Sequence, residues 1–116
     1  MSEFRKIFEN QMKLQEIALN TKLPIDNPEQ FYLHATASSI ELAEAIQEDN
    51  RWKKLMGGKR KLRLNKEAKL EELVDAQLFL INAIMFSGFN YDEFVSKCYA
   101  KHEVNLERML KDDNNS

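Results

Sequence analysis

Three glycines and two prolines in a chain of 116 residues leave little material for turns, and few Val or Thr beside abundant Leu, Ala, Glu and Lys leave little for a sheet. Both scarcities point to a few long helices with short connections. One cysteine, Cys98, excludes an internal disulfide and fits a reducing compartment. No run reaches the ~18 uninterrupted apolar residues that a membrane span needs, and the amino-terminal MSEFRKIFENQ has no apolar signal segment. A formal charge of −2 gives no global attraction for nucleic acid or an anionic membrane. The expectation is a cytoplasmic, all-α protein with a single domain over 1–116 and one core.

Four helical segments have legible ends. The first is expected from Glu3 to Asn20, with Phe4, Ile7, Phe8, Met12, Leu14 or Gln15, and Leu19 as its apolar stripe. TKLPIDNP breaks it. Asn27 as N-cap, Pro28 at the first helical position and Gln30 three after the cap start a second helix, which continues to about Glu48 or beyond. LMGGKRKLRLN reads as a loop, Asn65 caps a third helix over Lys66–Phe86, and Gly88 closes it. Asn90 with Glu93 opens a fourth, to about Lys111, before a polar tail expected to fray. The third helix is apolar almost all round. One short chain offers too little cover for such a helix, so a second subunit is expected.

Two pairs of acids stand out against this frame. Glu41 and Glu44 lie in SSIELAEAIQED, and Glu72 and Asp75 in KLEELVDAQLFLINAIMF. Residues three apart share a side of a helix, so each pair aims two carboxylates in one direction, and two packed helices would converge four. Hard cations such as magnesium take oxygen cages of that kind. Solvated-face glutamates are the ordinary alternative for the first pair. The second is harder to dismiss, because Glu72, Asp75, Phe79, Asn82 and Phe86 form one stripe, and a solvated face would not carry two phenylalanines. An acid facing the interior needs a metal, Lys or Arg nearby.

The cationic residues are less specific. Lys97, Lys101, Asn105 and Arg108 form a polar stripe on the fourth helix that suits phosphate oxygens or simply solvent. Lys53, Lys54, Lys59, Arg60, Lys61, Arg63 and Lys66 crowd around Gly57 and Gly58, with no Walker pattern in GGKRK. Trp52 suits either stacking on a base or packing. His34 and His102 lack zinc spacing.

Taken together these segments resemble the all-α nucleoside triphosphate pyrophosphatases, which comprise the MazG-like proteins and the dimeric dUTPases. E-x-x-E at Glu41 and Glu44, followed across a basic loop by E-x-x-D at Glu72 and Asp75, is the centre of the likeness. DNRWKKL is similar to the aromatic and lysine segment of the dimeric dUTPase branch, YAKHEVNLERM to its K-x-x-x-N-x-x-R ending, and LQEIALN to its uracil-reading region. Departures are the shorter chain and Gln77 or Leu78 where those enzymes often carry a His. The resemblance implies a four-helix bundle completed as a homodimer or homotetramer. It implies Mg2+, with Mn2+ as a substitute, on Glu41, Glu44, Glu72 and Asp75, with Glu41 or Glu44 orienting water. Lys101, Arg108 and Lys53 become phosphate ligands, and Gln15, Asn20, Trp52, Asn82 and Asn105 base or sugar ligands. The implied reaction takes a deoxynucleoside triphosphate, dUTP first, to the monophosphate and pyrophosphate. A broad or dCTP-directed pyrophosphohydrolase is the second reading, and a non-catalytic helical module for nucleic acid or protein the third.

Overall fold

The computed structural model describes residues 2–57 and 61–115. It has four α-helices, α1 (Glu3–Leu19), α2 (Pro28–Gln47), α3 (Lys66–Met85) and α4 (Tyr91–Asn115), with a 3-10 helix at Asn50–Met56 between α2 and α3. Among the described residues there is no strand, and no helix is long and apolar enough to cross a membrane.

The expected caps form for the reason they were expected. The side chains of Asn27 and Asn65 accept from the backbone N–H of Gln30 and Ala68, supplying partners that the first helical turn lacks. Asn90 and Glu93 make the reciprocal box, Glu93 N–H to Asn90 Oδ1 and Asn90 N–H to Glu93 Oε1. Ser2 caps α1 by accepting from Arg5 N–H. α2 ends at Gln47 with Glu48 as its cap, close to the expected end, and the chain then tightens into the 3-10 helix; α4 differs from expectation by running on to Asn115 where fraying was expected.

α2 and α3 form the principal pair, antiparallel and in register through small residues. Ala45 and Ala76 are 2% and 6% exposed, so the backbones approach closely along that seam. α1 lies across the other side of α3, where Phe8, Leu23, Ile81, Met85 and Phe86 make the core. The first turn of α4 joins them, with Tyr91 and Phe94 against Phe4 and Phe8 at ring separations of 5.6–6.5 Å. Two backbone bonds, Ile25 N–H to Met85 O and Asn27 N–H to Phe86 O, clip the α1–α2 connection to the end of α3. Gly88 stands beside Asp26 with φ +87°, a conformation that a side chain rarely adopts.

Beyond that first turn α4 leaves the body, and from Ser96 to Asp113 every residue is exposed. The radius of gyration, 18.2 Å, is well above the ~13 Å of a compact chain of this length. Several α1 positions read as core are also open, among them Ile7, Leu14 and Leu19. So are Leu70, Leu73, Val74 and Leu80 of α3, the helix whose all-round apolarity called for extra cover.

Candidate metal centre

Three-residue spacing on each helix, and the register between the helices, converge the acids at one side of the α2–α3 pair. Oxygens from Glu41, Glu72 and Asp75 all lie within 4.8 Å of one another. Glu44 stands against Glu72 and Glu41 and completes the quartet electrostatically. The register is held by Ser38, one turn before Glu41, whose hydroxyl donates to the carbonyl of Ala76, the residue after Asp75, at 2.7 Å.

The charge state of the cluster is set by its carboxylates and by their burial. The Glu44 carboxyl is pushed up from its usual range first by a hydrogen bond shared with Glu72, then by desolvation and the negative charge of Glu72 and Asp75, against a hydrogen bond to Glu41 that lowers it. Glu72 is raised first by a hydrogen bond shared with Glu41, with burial and the charges of Glu41 and Asp75 adding to it and a hydrogen bond to Glu44 opposing. Among the described residues, no Lys or Arg is a leading cause of either shift. Ionised carboxylates are acceptors only, so any hydrogen bond among these three requires a trapped proton. Glu72 Oε2 is buried and, among the described residues, receives no hydrogen bond. An acceptor oxygen without a donor, among oxygens a few ångströms apart, suits a hard divalent cation by donor type, charge and spacing.

The neighbouring cation is already committed. Lys69, one turn before Glu72, bonds Asp49 at 2.7 Å, and Arg51 holds the same carboxylate from the other side at 2.8 and 2.9 Å. These bonds hold the Asp49 carboxyl well below its usual range. Asn50, 8% exposed, closes the loop behind them: it donates to Lys61 O, and Arg63 N–H donates to its Oδ1. Lys59 and Arg60 of the basic run lie outside the described residues.

Trp52 sits elsewhere. With Leu42, Ala45, Ile46, Asp49, Arg51, Lys69 and Leu73 it lines an open cavity of about 850 Å³. Leu42 and Leu73 each follow a cluster acid by one residue, ~100° further round the helix, which puts this cavity across the Ala45–Ala76 seam from the acids. Lys53 accompanies Trp52, its ammonium 5.6 Å from the ring centroid. Lys101, Asn105 and Arg108 are on the exposed length of α4, and Asn20 is the exposed, left-handed C-cap of α1.

Asn82 is on the acid side of α3 but 2% exposed. Its Oδ1 accepts from Gln11 Nε2 at 3.1 Å and its Nδ2 lies 3.3 Å from His34 Nδ1. Gln11, rather than Gln15, is thus the α1 amide tied to this stripe. Sequence reasoning missed both Gln11 and His34. The available signal was Asn82, a polar residue inside an apolar run that had to find partners on facing helices. Asp75 and Asn82 are seven residues apart, ~10 Å along α3, with Phe79 between them.

No protein-family model matches the chain, and neither a curated protein nor a solved structure is significantly similar to it.

Proposed function

We propose that the protein is a magnesium-dependent nucleoside triphosphate pyrophosphohydrolase, acting on a deoxynucleotide with dUTP as the first candidate. The observation that carries this reading is the convergence of Glu41, Glu72 and Asp75, with Glu44 beside them and, among the described residues, no donor to a buried Glu72 oxygen. Glu41, Glu72 and Asp75 would hold the metal, with Glu44 beside them. When bound, magnesium neutralises phosphate charge and lowers the proton affinity of a coordinated water. Mn2+ offers the same charge to the same oxygens.

The residues divide the remaining work by position. Glu41 or Glu44 accepts a proton from water directed at the α-phosphorus. A P–O bond forms there as the bond to the bridging β-oxygen breaks, giving a nucleoside monophosphate and pyrophosphate. The nucleoside end then lies along the acid side of α3 towards Phe79, Asn82 and Gln11, since the ~10 Å from Asp75 to Asn82 suits the reach from phosphate to base. Trp52 lies across the seam from this groove in the same chain, so its contribution would go to a contact between subunits.

A second copy fits the surface. The chain exposes 8985 Å², whereas a compact monomer of its mass exposes ~6,600 Å². The excess is the size of an obligate dimer interface. The cations of α4, exposed on their own chain, would be available to a neighbour's phosphates.

Pyrophosphate release from a panel of canonical and modified deoxynucleoside triphosphates, with magnesium and with EDTA, tests the proposal. Magnesium-dependent turnover selective for dUTP is expected. Broad turnover would move the substrate to a MazG-like range, and no turnover with any substrate would overturn the enzymatic reading.

A further inference from the structure

We propose that His34 sets the hydrogen-bonding polarity of the Gln11 side chain through Asn82, as a positioning residue that decides whether the groove recognises a donor or an acceptor on its ligand. The assignment of a nucleobase to this groove rests on the function proposed above. The proton linkage itself does not.

His34 is 7% exposed on α2, its ring stacked on Phe86 at 5.2 Å and 17° and tilted against Phe79 at 5.9 Å. The two rings fix its plane. An amide nitrogen only donates, so Asn82 Nδ2 opposite His34 Nδ1 requires that nitrogen to be bare and the ring proton to sit on Nε2. Asn82 Oδ1 must then face the other way, where Gln11 Nε2 donates to it. Because an amide carries donor and acceptor on opposite corners, Gln11 Oε1 is turned away from Asn82. Gln11 is only part-buried while Asn82 and His34 are buried, so the Gln11 amide is the end of this relay that reaches the surface, on the side proposed for the nucleoside.

A second direction is equally self-consistent. Doubly protonated His34 would donate from Nδ1, which calls for Asn82 Oδ1 in place of Nδ2. Asn82 would then offer its NH2 to Gln11, and Gln11 would answer with Oε1 and turn its own NH2 outwards. Both amides rotate by half a turn and keep their shape, so the core need not repack. One proton on His34 therefore exchanges an outward acceptor for an outward donor two side chains away.

The neutral direction prevails near pH 7. Phe79 and Phe86 of α3 pack against the ring and Asn82 bonds it, Gln11 of α1 bonds Asn82 in turn, and burial moves the proton affinity of His34 downwards from the usual imidazole range. With Gln11 Oε1 outwards, the groove favours a ligand edge that donates there, such as the imide N–H of a uracil-type ring, over a bare ring nitrogen of the cytosine type.

The test uses the full chain labelled with 15N, without nucleotide, between about pH 5 and 8. The expected spectra show His34 as the Nε2–H tautomer at neutral pH, and the Asn82 and Gln11 side-chain amide signals moving on acidification with the midpoint of His34. An Nδ1–H tautomer, or a Gln11 amide indifferent to the His34 titration, overturns the linkage without any variant having to fold. In His34→Phe the Gln11 response should vanish. A second arm compares dUMP with dCMP in magnesium. A preference for dUMP of about tenfold at pH 7 is expected, falling as His34 charges, and the ratio cancels any common loss of metal. An unchanged ratio overturns the specificity role. If neither nucleotide binds, the groove assignment fails while the spectra still decide the proton linkage.

Discussion

Ser38 donates its hydroxyl to the carbonyl of Ala76 at 2.7 Å, a bond between α2 and α3 made one turn from Glu41 and one residue from Asp75. It fixes how far one pair of acids is slid past the other. Ser38→Ala should cost about 1 kcal/mol of stability and weaken magnesium binding. Calorimetric titration of the variant with magnesium checks this; unchanged affinity would show that the Ala45–Ala76 packing alone holds the register.

Asp75→Asn keeps the shape of the side chain and removes one charge from the cluster. Turnover of the preferred triphosphate should fall on the order of 100-fold, with the helical circular dichroism unchanged. Near-normal rates would exclude Asp75 from the metal site.

Glu72→Gln should separate stability from function. It removes charge from a group of mutually repelling carboxylates, so in EDTA at pH 7 the variant should melt above the native protein. The native Tm should rise on adding magnesium, and the variant's should respond much less. A variant that melts lower in EDTA would mean that Glu72 is stabilised by something other than a cation.

The pH dependence follows from the same shifts. Glu44 and Glu72 have raised proton affinities in the fold, so their contribution to stability is full below the ordinary carboxylate value and lost as pH rises through their folded values. Asp49 runs the other way: its lowered value gives stability above the ordinary range that is lost in strong acid. In EDTA, Tm should therefore decline as pH is raised from the ordinary carboxylate range towards neutrality, and saturating magnesium should flatten that decline. Thermal melts across that window, with and without metal, decide it.

Leu42→Glu places a charge in the cavity beside Trp52, on the face proposed above to meet a second subunit. Light scattering should give the native chain at least twice its 13.6 kDa and the variant a smaller assembly. A native chain that scatters as a monomer would refute the subunit contact.

Helix ends were legible because their chemistry is local. Asn27, Asn65 and the Asn90–Glu93 box each bond a backbone group within three residues, so a short window of sequence contains both partners. The acidic cluster was half legible: spacing gave the shared face of each pair, but the seam that juxtaposes the pairs depends on Ala45 and Ala76, which have no distinguishing pattern. Gln11 was illegible because its partner is 71 residues away. The 3-10 helix was missed because Asn50 draws in Lys61 O and Arg63 N–H from across a loop. On α4, one polar stripe of Lys101, Asn105 and Arg108 could be read, but nothing local told that the helix leaves the body after its first turn.

The clasp formed by Asn50 also governs which changes of length the chain can absorb. Asn50 N–H bonds Arg63 O and Asn65 N–H bonds Glu48 O, so the two limbs of the connection are joined at its base, before α3 begins. Residues added between Gly57 and Lys61, past the 3-10 helix and short of the clasp, should leave α2 and α3 in step. Between Leu19 and Asn27 there is no such slack, because Ile25 and Asn27 are bonded to the last turn of α3. Natural variation in length, and any tag or graft introduced by design, should therefore be tolerated in the connection between the acidic helices α2 and α3 and rejected in the connection between α1 and α2.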